Sequence, residues 1–238
     1  MPKERIDKII SSQNIASRSE VKNLIKQKRI FADHILVKKS DEKFDPEKTE
    51  IKIDNQVICY QKYIYLMLNK PAGVLSASRD KNAKTVLDLI PENFRRKDLF
   101  PAGRLDKDTT GFILITNDGE LAHKMLSPKN HVFKLYQAEL DKTLDENDVL
   151  AFQNGISFGE ENFLPARLKI IDSHQALVEI CEGKFHQVKK MFKALNKEVI
   201  FLKRLRIGSL ELDENLKEGE CRTLSKEEIQ LLIQNKKY

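Results

Sequence analysis

The segment GRLDKDTTGFILITNDG, residues 103–119, constrains this chain more than any other. Its apolar run Phe112-Ile113-Leu114-Ile115 predicts a buried strand. Three carboxylates, Asp106, Asp108 and Asp118, stand on the approaches to that strand, so acids flank a core element at both ends. Asp118 precedes Gly119 and a stretch in which Leu121, Ala122 and Met125 keep helical spacing, which predicts an N-cap. Asp108, between Lys107 and two threonines, reads as a turn carboxylate that bonds backbone amides and stays hydrated. Asp106 differs. It lies between Gly103 and Gly111, two residues after Arg104 and shortly before the buried strand. A carboxylate on an apolar floor with a cation close by suits acid, base or nucleophile work. Spacing alone leaves its structural reading open.

A chain of 238 residues with 40% apolar content can build one sizeable core and a smaller module, so two domains are expected, 1–59 and 60–238. The formal net charge is +6, and its distribution matters more than its size. Residues 1–40 hold ten Lys/Arg against four Asp/Glu, and Lys184 to Arg206 holds eight against Glu198 alone. Either block by itself is consistent with a solvated lysine face, whereas two separated blocks point to an extended polyanion. Cys59, Cys181 and Cys221 have neither zinc-ligand spacing nor a partner for each, so no metal site or disulfide framework is expected, and the compartment reads as reducing. No apolar run approaches bilayer length and the start lacks a signal-peptide core. The expectation is therefore a cytoplasmic protein with no membrane partner.

Within the first forty residues, Ile6, Ile9 and Ile10 mark one short helix. Ser17-Arg18-Ser19-Glu20 offers a capping box for a second, which buries Val21, Leu24 and Ile25. Arg18, Lys22 and Lys26 then share the opposite face. Short strands follow at Ile35-Leu36-Val37 and Ile51-Lys52-Ile53, and the module ends near Cys59. A DNA-reading helix-turn-helix or a generic basic cap would fit the second helix equally well. In the larger domain, Tyr63–Leu68 predicts a strand, Asn69-Lys70-Pro71-Ala72-Gly73 a turn, and Thr85–Ile90 a short helix ended by Pro91. Farther on, Val188, Met191, Phe192 and Leu195 predict a helix that begins near His186. Lys189 falls at the margin of its buried stripe, where a snorkelling lysine is the plain reading, and His186 reads as a cap or structural partner.

Taken in order, LNKPAG at 68–73, GRLDKDTTGFILITNDG at 103–119, KLYQAEL at 134–140, EGKFHQVKKMF at 182–192 and LKRLRIGSLEL at 202–212 resemble the RsuA-type branch of the pseudouridine synthases. The segment before them, roughly residues 3–60, resembles an S4-like RNA-binding domain. The resemblance implies an α+β fold: a small N-terminal S4-like α/β RNA-binding domain, then a synthase domain with a mixed, largely antiparallel sheet and a central cleft. It implies isomerisation of uridine to pseudouridine in RNA, without cofactor or metal. It further implies that Asp106 is the catalytic aspartate, that Arg104 helps hold the substrate strand, that Tyr136 lies against the uracil ring, and that Lys189 pairs with the catalytic carboxylate. Lys189 keeps the charge of that position without an arginine's bidentate geometry. Asn196 stands where glycine is usual and suits a left-handed helix end. Phe112 replaces an aliphatic residue. Arg18, Lys22 and Lys26 are the RNA-binding candidates of the small module.

The wording LDKDTTG, the KLY spacing and the segment GISFGEENFLPARL at 155–168 resemble the branch acting on small-subunit (16S) rRNA. The implied partner is ribosomal RNA, free or in an assembly intermediate, bound by a monomer. A large-subunit rRNA enzyme, a non-catalytic ribosome-assembly factor and a DNA-binding regulator are the alternatives; the last lacks a dimerisation heptad.

Overall fold

The computed structural model describes residues 3–235. The chain divides into two compact units, one running to Tyr63 and taking in Pro91–Asp98, the other comprising Ile64–Ile90 and the chain from Leu99 onward.

The first unit is built on two short helices over a small sheet. Helix α1 (Ile6–Ser12) buries Ile6, Ile9 and Ile10, and α2 (Arg18–Lys26) buries Val21 and Ile25. Leu24 is only partly covered. The reciprocal capping box forms as expected: Glu20 N–H donates to Ser17 Oγ at 3.3 Å and Ser17 N–H donates to the Glu20 carboxylate at 2.6 Å. Strands β2 (Ile30–Ala32), β3 (Ile35–Leu36), β5 (Ile51–Ile53) and β6 (Gln56–Val57) form an antiparallel sheet in the order β3-β2-β5-β6, while β1 (Glu4–Arg5) pairs with β4 (Lys43–Phe44). Their apolar faces close one core with both helices. Pro91–Asp98, expected in the larger domain, belongs here. Arg96 fixes it by donating to Gln61 O at 2.5 Å and Gln13 Oε1 at 2.6 Å.

The second unit is organised by a mixed sheet. Its strands are β7 (Tyr65–Lys70), β8 (Phe100–Ala102), β9 (Thr110–Thr116), β10 (Lys134–Leu140), β13 (Arg167–Ile170), β14 (Gln175–Ile180), β15 (Val199–Ile207), β16 (Leu210–Glu211) and β17 (Cys221–Thr223). A separate hairpin joins β11 (Ile156–Phe158) to β12 (Glu161–Phe163). The order is β13-β14-β10-β15-β9-β7-β17, with β16 on β15 and β8 on β9. Every pairing is antiparallel except β15 with β9. The fold is α+β. All seven residues of β9 are buried, as its apolar run requires. Helix α3 (Gly119–Leu126) follows, and Asp118 caps it by accepting from the Glu120 and Leu121 amides, both at 3.1 Å. Helices α4 (Glu146–Asn154), α5 (Gln187–Ala194) and α6 (Lys226–Leu231) complete the unit. Helix α5 buries Val188, Met191 and Phe192, and Asn196 beyond its end takes φ +59°, the left-handed conformation expected of it.

Two local features bring the chemistry-bearing segments together. At the β9–β15 contact, Gly111 has φ +99°, and a Cβ there would lie 2.3 Å from the Arg204 carbonyl oxygen, so only glycine lets these strands meet. The strand expected over Tyr63–Leu68 runs over Tyr65–Lys70, so Asn69 and Lys70 extend the sheet before the chain turns at Pro71.

Candidate active site

The loop between β8 and β9 carries Asp106, and three interactions hold it. Ser76 Oγ brackets Leu105, accepting its N–H at 2.9 Å and donating to its carbonyl at 2.8 Å. Gly73 N–H donates to Lys107 O at 2.8 Å. Lys70, fully buried, gives its ammonium protons to Pro71 O and Lys107 O, both at 3.1 Å, and to Thr109 O at 2.8 Å. Burial pushes the Lys70 pKa down to about 8, against the opposing charges of Asp108 and Asp106. The NKPAG segment is thus more than a turn: its lysine staples the loop on which Asp106 sits.

Asp106 projects from this loop with 24% of its side chain exposed, into a cavity of about 400 Å³. Strands β10 and β15, the β8–β9 loop and the N-terminal turn of α5 supply the walls. His186 Nε2 lies 3.5 Å from Asp106 Oδ1, and Lys189 Nζ lies 3.7 Å from Oδ2. The ring of Tyr136 is buried on the cavity floor. Arg204 stands beside it, its guanidinium 5.9 Å from the Tyr136 ring centre and donating to the Tyr136 hydroxyl at 3.4 Å.

Four sequence-predicted residues therefore meet in one cavity: Arg104, Asp106, Tyr136 and Lys189. Arg18, Lys22 and Lys26 are exposed along α2 of the other unit. Two expectations change in detail. Lys189 hydrogen-bonds Asp108, at 2.6 and 2.7 Å to its two oxygens, and reaches Asp106 only as a longer ion pair. The exposed Asp108 is the better hydrogen-bond acceptor because its carboxylate faces the ammonium with both oxygens. Partial burial alone would raise the Asp108 pKa, but the hydrogen bond and charge of Lys189 outweigh it and hold the carboxyl below its ordinary value. Arg104 is exposed on the cavity rim and makes no ion pair with Asp106 among the described residues. The nitrogen groups beside Asp106 come from α5.

His186 is the neighbour expected to serve as a cap or a structural partner. It does occupy the N-cap, at φ +54°, yet its side chain makes no cap hydrogen bond. It stacks on Phe185 instead, ring centres 3.8 Å apart and planes 21° from parallel, which leaves Nε2 aimed at Asp106. Asp118 is structural as expected, and its second oxygen also accepts the Tyr65 hydroxyl at 2.7 Å. Among the described residues, no three His, Cys, Asp or Glu side chains gather as a metal site, and no helix is long and apolar enough to cross a membrane.

The arrangement supplies one partly sheltered carboxylate, a lysine ammonium and an imidazole nitrogen beside it, and an aromatic surface against which a planar base could lie. Comparison with known proteins points the same way. The model of the RNA pseudouridylate synthase family matches residues 64–194, and that of the S4 domain matches residues 4–49. An uncharacterized RNA pseudouridine synthase of Bacillus subtilis, YtzG, is 43% identical over 233 residues, covering 96% of this chain and 98% of its own. Ribosomal small subunit pseudouridine synthase A of Escherichia coli is 36% identical over 231 residues, covering 96% of this chain and 100% of its own. A crystal structure of pseudouridylate synthase superimposes with a TM-score of 0.68 at 35% identity, over 96% of this chain and 99% of that one. With matches of this extent over both of its segments, the chain belongs to the RNA pseudouridylate synthase family.

Proposed function

We propose that this protein converts a uridine of small-subunit (16S) rRNA to pseudouridine, with Asp106 as the catalytic carboxylate. The observation that carries the reading is the placement of Asp106: partly sheltered, between His186 and Lys189, at the mouth of a cavity floored by Tyr136. Isomerisation breaks the N1–C1′ bond, turns the uracil and joins C5 to C1′. The target base must first leave its stack, and Tyr136 then offers a surface on which either face of the uracil stacks, before and after the turn. Asp106 faces the sugar during the step in which C1′ changes partner, and Lys189 and His186 keep its charge oriented. Arg104, on the rim, takes a phosphate of the extruded strand. The substrate class follows from several relatives at 36–38% identity, named ribosomal small subunit pseudouridine synthase A. In the small unit, Arg18, Lys22 and Lys26 contact RNA phosphates, adding affinity and orientation with little sequence choice. The protein acts as a cytoplasmic monomer, on free rRNA or an assembly intermediate, without cofactor or metal.

Pseudouridine mapping of both rRNAs from cells lacking the protein tests this reading. Loss of a 16S pseudouridine, restored by the wild-type chain and not by Asp106→Asn, is the expected result. Loss confined to large-subunit rRNA would move the substrate, and unchanged maps would favour a non-catalytic assembly factor.

A further inference from the structure

The floor of the cavity holds two buried cations, Lys134 and Arg204, with no ion-pair partner among the described residues. Strand alternation puts Lys134 and Tyr136 on the same face of β10, and antiparallel register sets Arg204 of β15 opposite Tyr136. Lys134 and Arg204 are each 5% exposed and both line the cavity. The Lys134 ammonium has three protons to give, and its acceptor among the described residues is Cys181 O, at a long 3.5 Å. Arg204 gives Nε–H to Phe112 O at 2.7 Å and Nη1–H to the Tyr136 hydroxyl, while its buried Nη2 has no partner among the described residues.

The nearby carboxylates are committed elsewhere. Asp106, on the same cavity, faces His186 and Lys189, Glu179 pairs with Arg206 and Arg167, and Glu182 with Lys184, Gln187 and the Leu164 amide. Burial first, and the neighbouring Arg204 charge second, push the Lys134 pKa down to about 8, so the group still carries its proton at neutral pH. Buried charges in folded proteins are ordinarily paired. A pair of cations facing an open cavity, with donors to spare, is a site built for an anion that the protein itself does not supply.

Resting on the uridine reading above, we propose that Lys134 and Arg204 hold the uracil as an anion, through its two carbonyl oxygens, between cleavage of N1–C1′ and formation of C5–C1′. When N1–C1′ breaks, its electron pair stays on the base and spreads from N1 onto O2 and O4. The same pair then forms the C5–C1′ bond, the C5 proton leaves and N1 gains a proton. The product is an isomer, and no oxidant, reductant or co-reactant is consumed. Symmetry adds a second reason. Turning the ring about its N3–C6 axis exchanges N1 with C5 and also O2 with O4. Donors placed for the two oxygens are therefore satisfied before and after the turn, and they stabilise the charge in both orientations.

The test compares Lys134→Met with wild type on whichever rRNA the wild type modifies. The expected result is a single-turnover rate at saturating RNA lowered roughly 100-fold, the scale for losing one preorganised donor to a developing charge. The RNA dissociation constant should stay within about twofold and the melting temperature should not fall, because the lost contact serves only the separated base. On the wild-type protein, 5-nitrouracil, a base ionised at neutral pH, should inhibit more strongly than uracil at equal concentration, a readout that does not depend on how the variant folds. An unchanged rate, or equal inhibition by the two bases, overturns the inference. Weakened RNA binding with the saturated rate intact also overturns it, by making Lys134 a holder of a backbone phosphate. A wild type that modifies neither rRNA instead sinks the proposed function on which this rests.

Discussion

Lys134→Met should make the protein more stable while disabling it, and the size of the gain can be worked from the buried ammonium. The Lys134 pKa is about 8 in the folded protein, against an ordinary value of 10.5. The folded state thus binds this proton less tightly than the unfolded chain, so the charged side chain opposes folding. The penalty is fully present below pH 8, fades as pH rises through 8 to 10.5, and vanishes above that window. Its full size is roughly 3 kcal/mol, at 1.36 kcal/mol per pKa unit. Methionine is of similar length and carries no charge, but it leaves the Cys181 carbonyl without its long hydrogen bond, a loss of about 1 kcal/mol. The net gain is about 2 kcal/mol at pH 7, or roughly 4–8 °C in Tm for a domain of this size. Thermal melts of both proteins at pH 7 and pH 10 read the difference directly, since other lysines cancel between them. The gain should be present at pH 7 and nearly gone at pH 10. A variant less stable than wild type at pH 7, or a gain that does not shrink with pH, would refute the reasoning.

Gly111→Ala must place a Cβ against the Arg204 backbone at a positive φ, so it should cost roughly 3 kcal/mol or more. Gly119→Ala, with open space around it, should leave thermal melts unchanged. Asp118→Ala removes a cap and the acceptor for the Tyr65 hydroxyl, so denaturant unfolding should show a loss of roughly 2 kcal/mol with the rate per folded molecule preserved. Replacing Arg18, Lys22 and Lys26 together by alanine should weaken rRNA binding and flatten its salt dependence by roughly 0.7–0.9 log units per lost phosphate contact. The modified uridine should not change, and a shift in its position would show that the small unit selects the site.

Features encoded by short-range pattern were legible in the sequence. The buried β9 strand, the Asp118 cap and the Ser17–Glu20 box each depend on residues within one or two helical turns, so spacing alone predicts them, whereas the left-handed Asn196 was expected from the family resemblance. Asp106 stood out because glycines flank it just before a core strand. What escaped depends on contacts made across the fold. The loop carbonyls that accept from Lys70 lie 37 and 39 residues away, and the Lys189–Asp108 pair spans 81 residues, so no local pattern announces either. His186 has a good local role at a helix start, which hides its approach to Asp106. Lys134 and Arg204 belong to different strands and meet on one face only through register. A lysine two residues before Tyr136, on the same face of a half-buried strand, was the signal available. The segment Pro91–Asp98 carries three basic residues and no core pattern, and nothing local assigns it to the first unit.

A single-turnover measurement of pseudouridine formation in rRNA by Asp106→Asn tests most directly whether Asp106 performs the isomerisation. Asparagine keeps the shape and removes the charge, and the loop is held by Lys70, Ser76 and Gly73, none of which contacts the Asp106 carboxylate. Folding and RNA affinity should therefore persist, while pseudouridine formation falls to the background of the RNA alone. Turnover retained at a measurable fraction of the wild-type rate would contradict the account and return the carboxylate to a structural role.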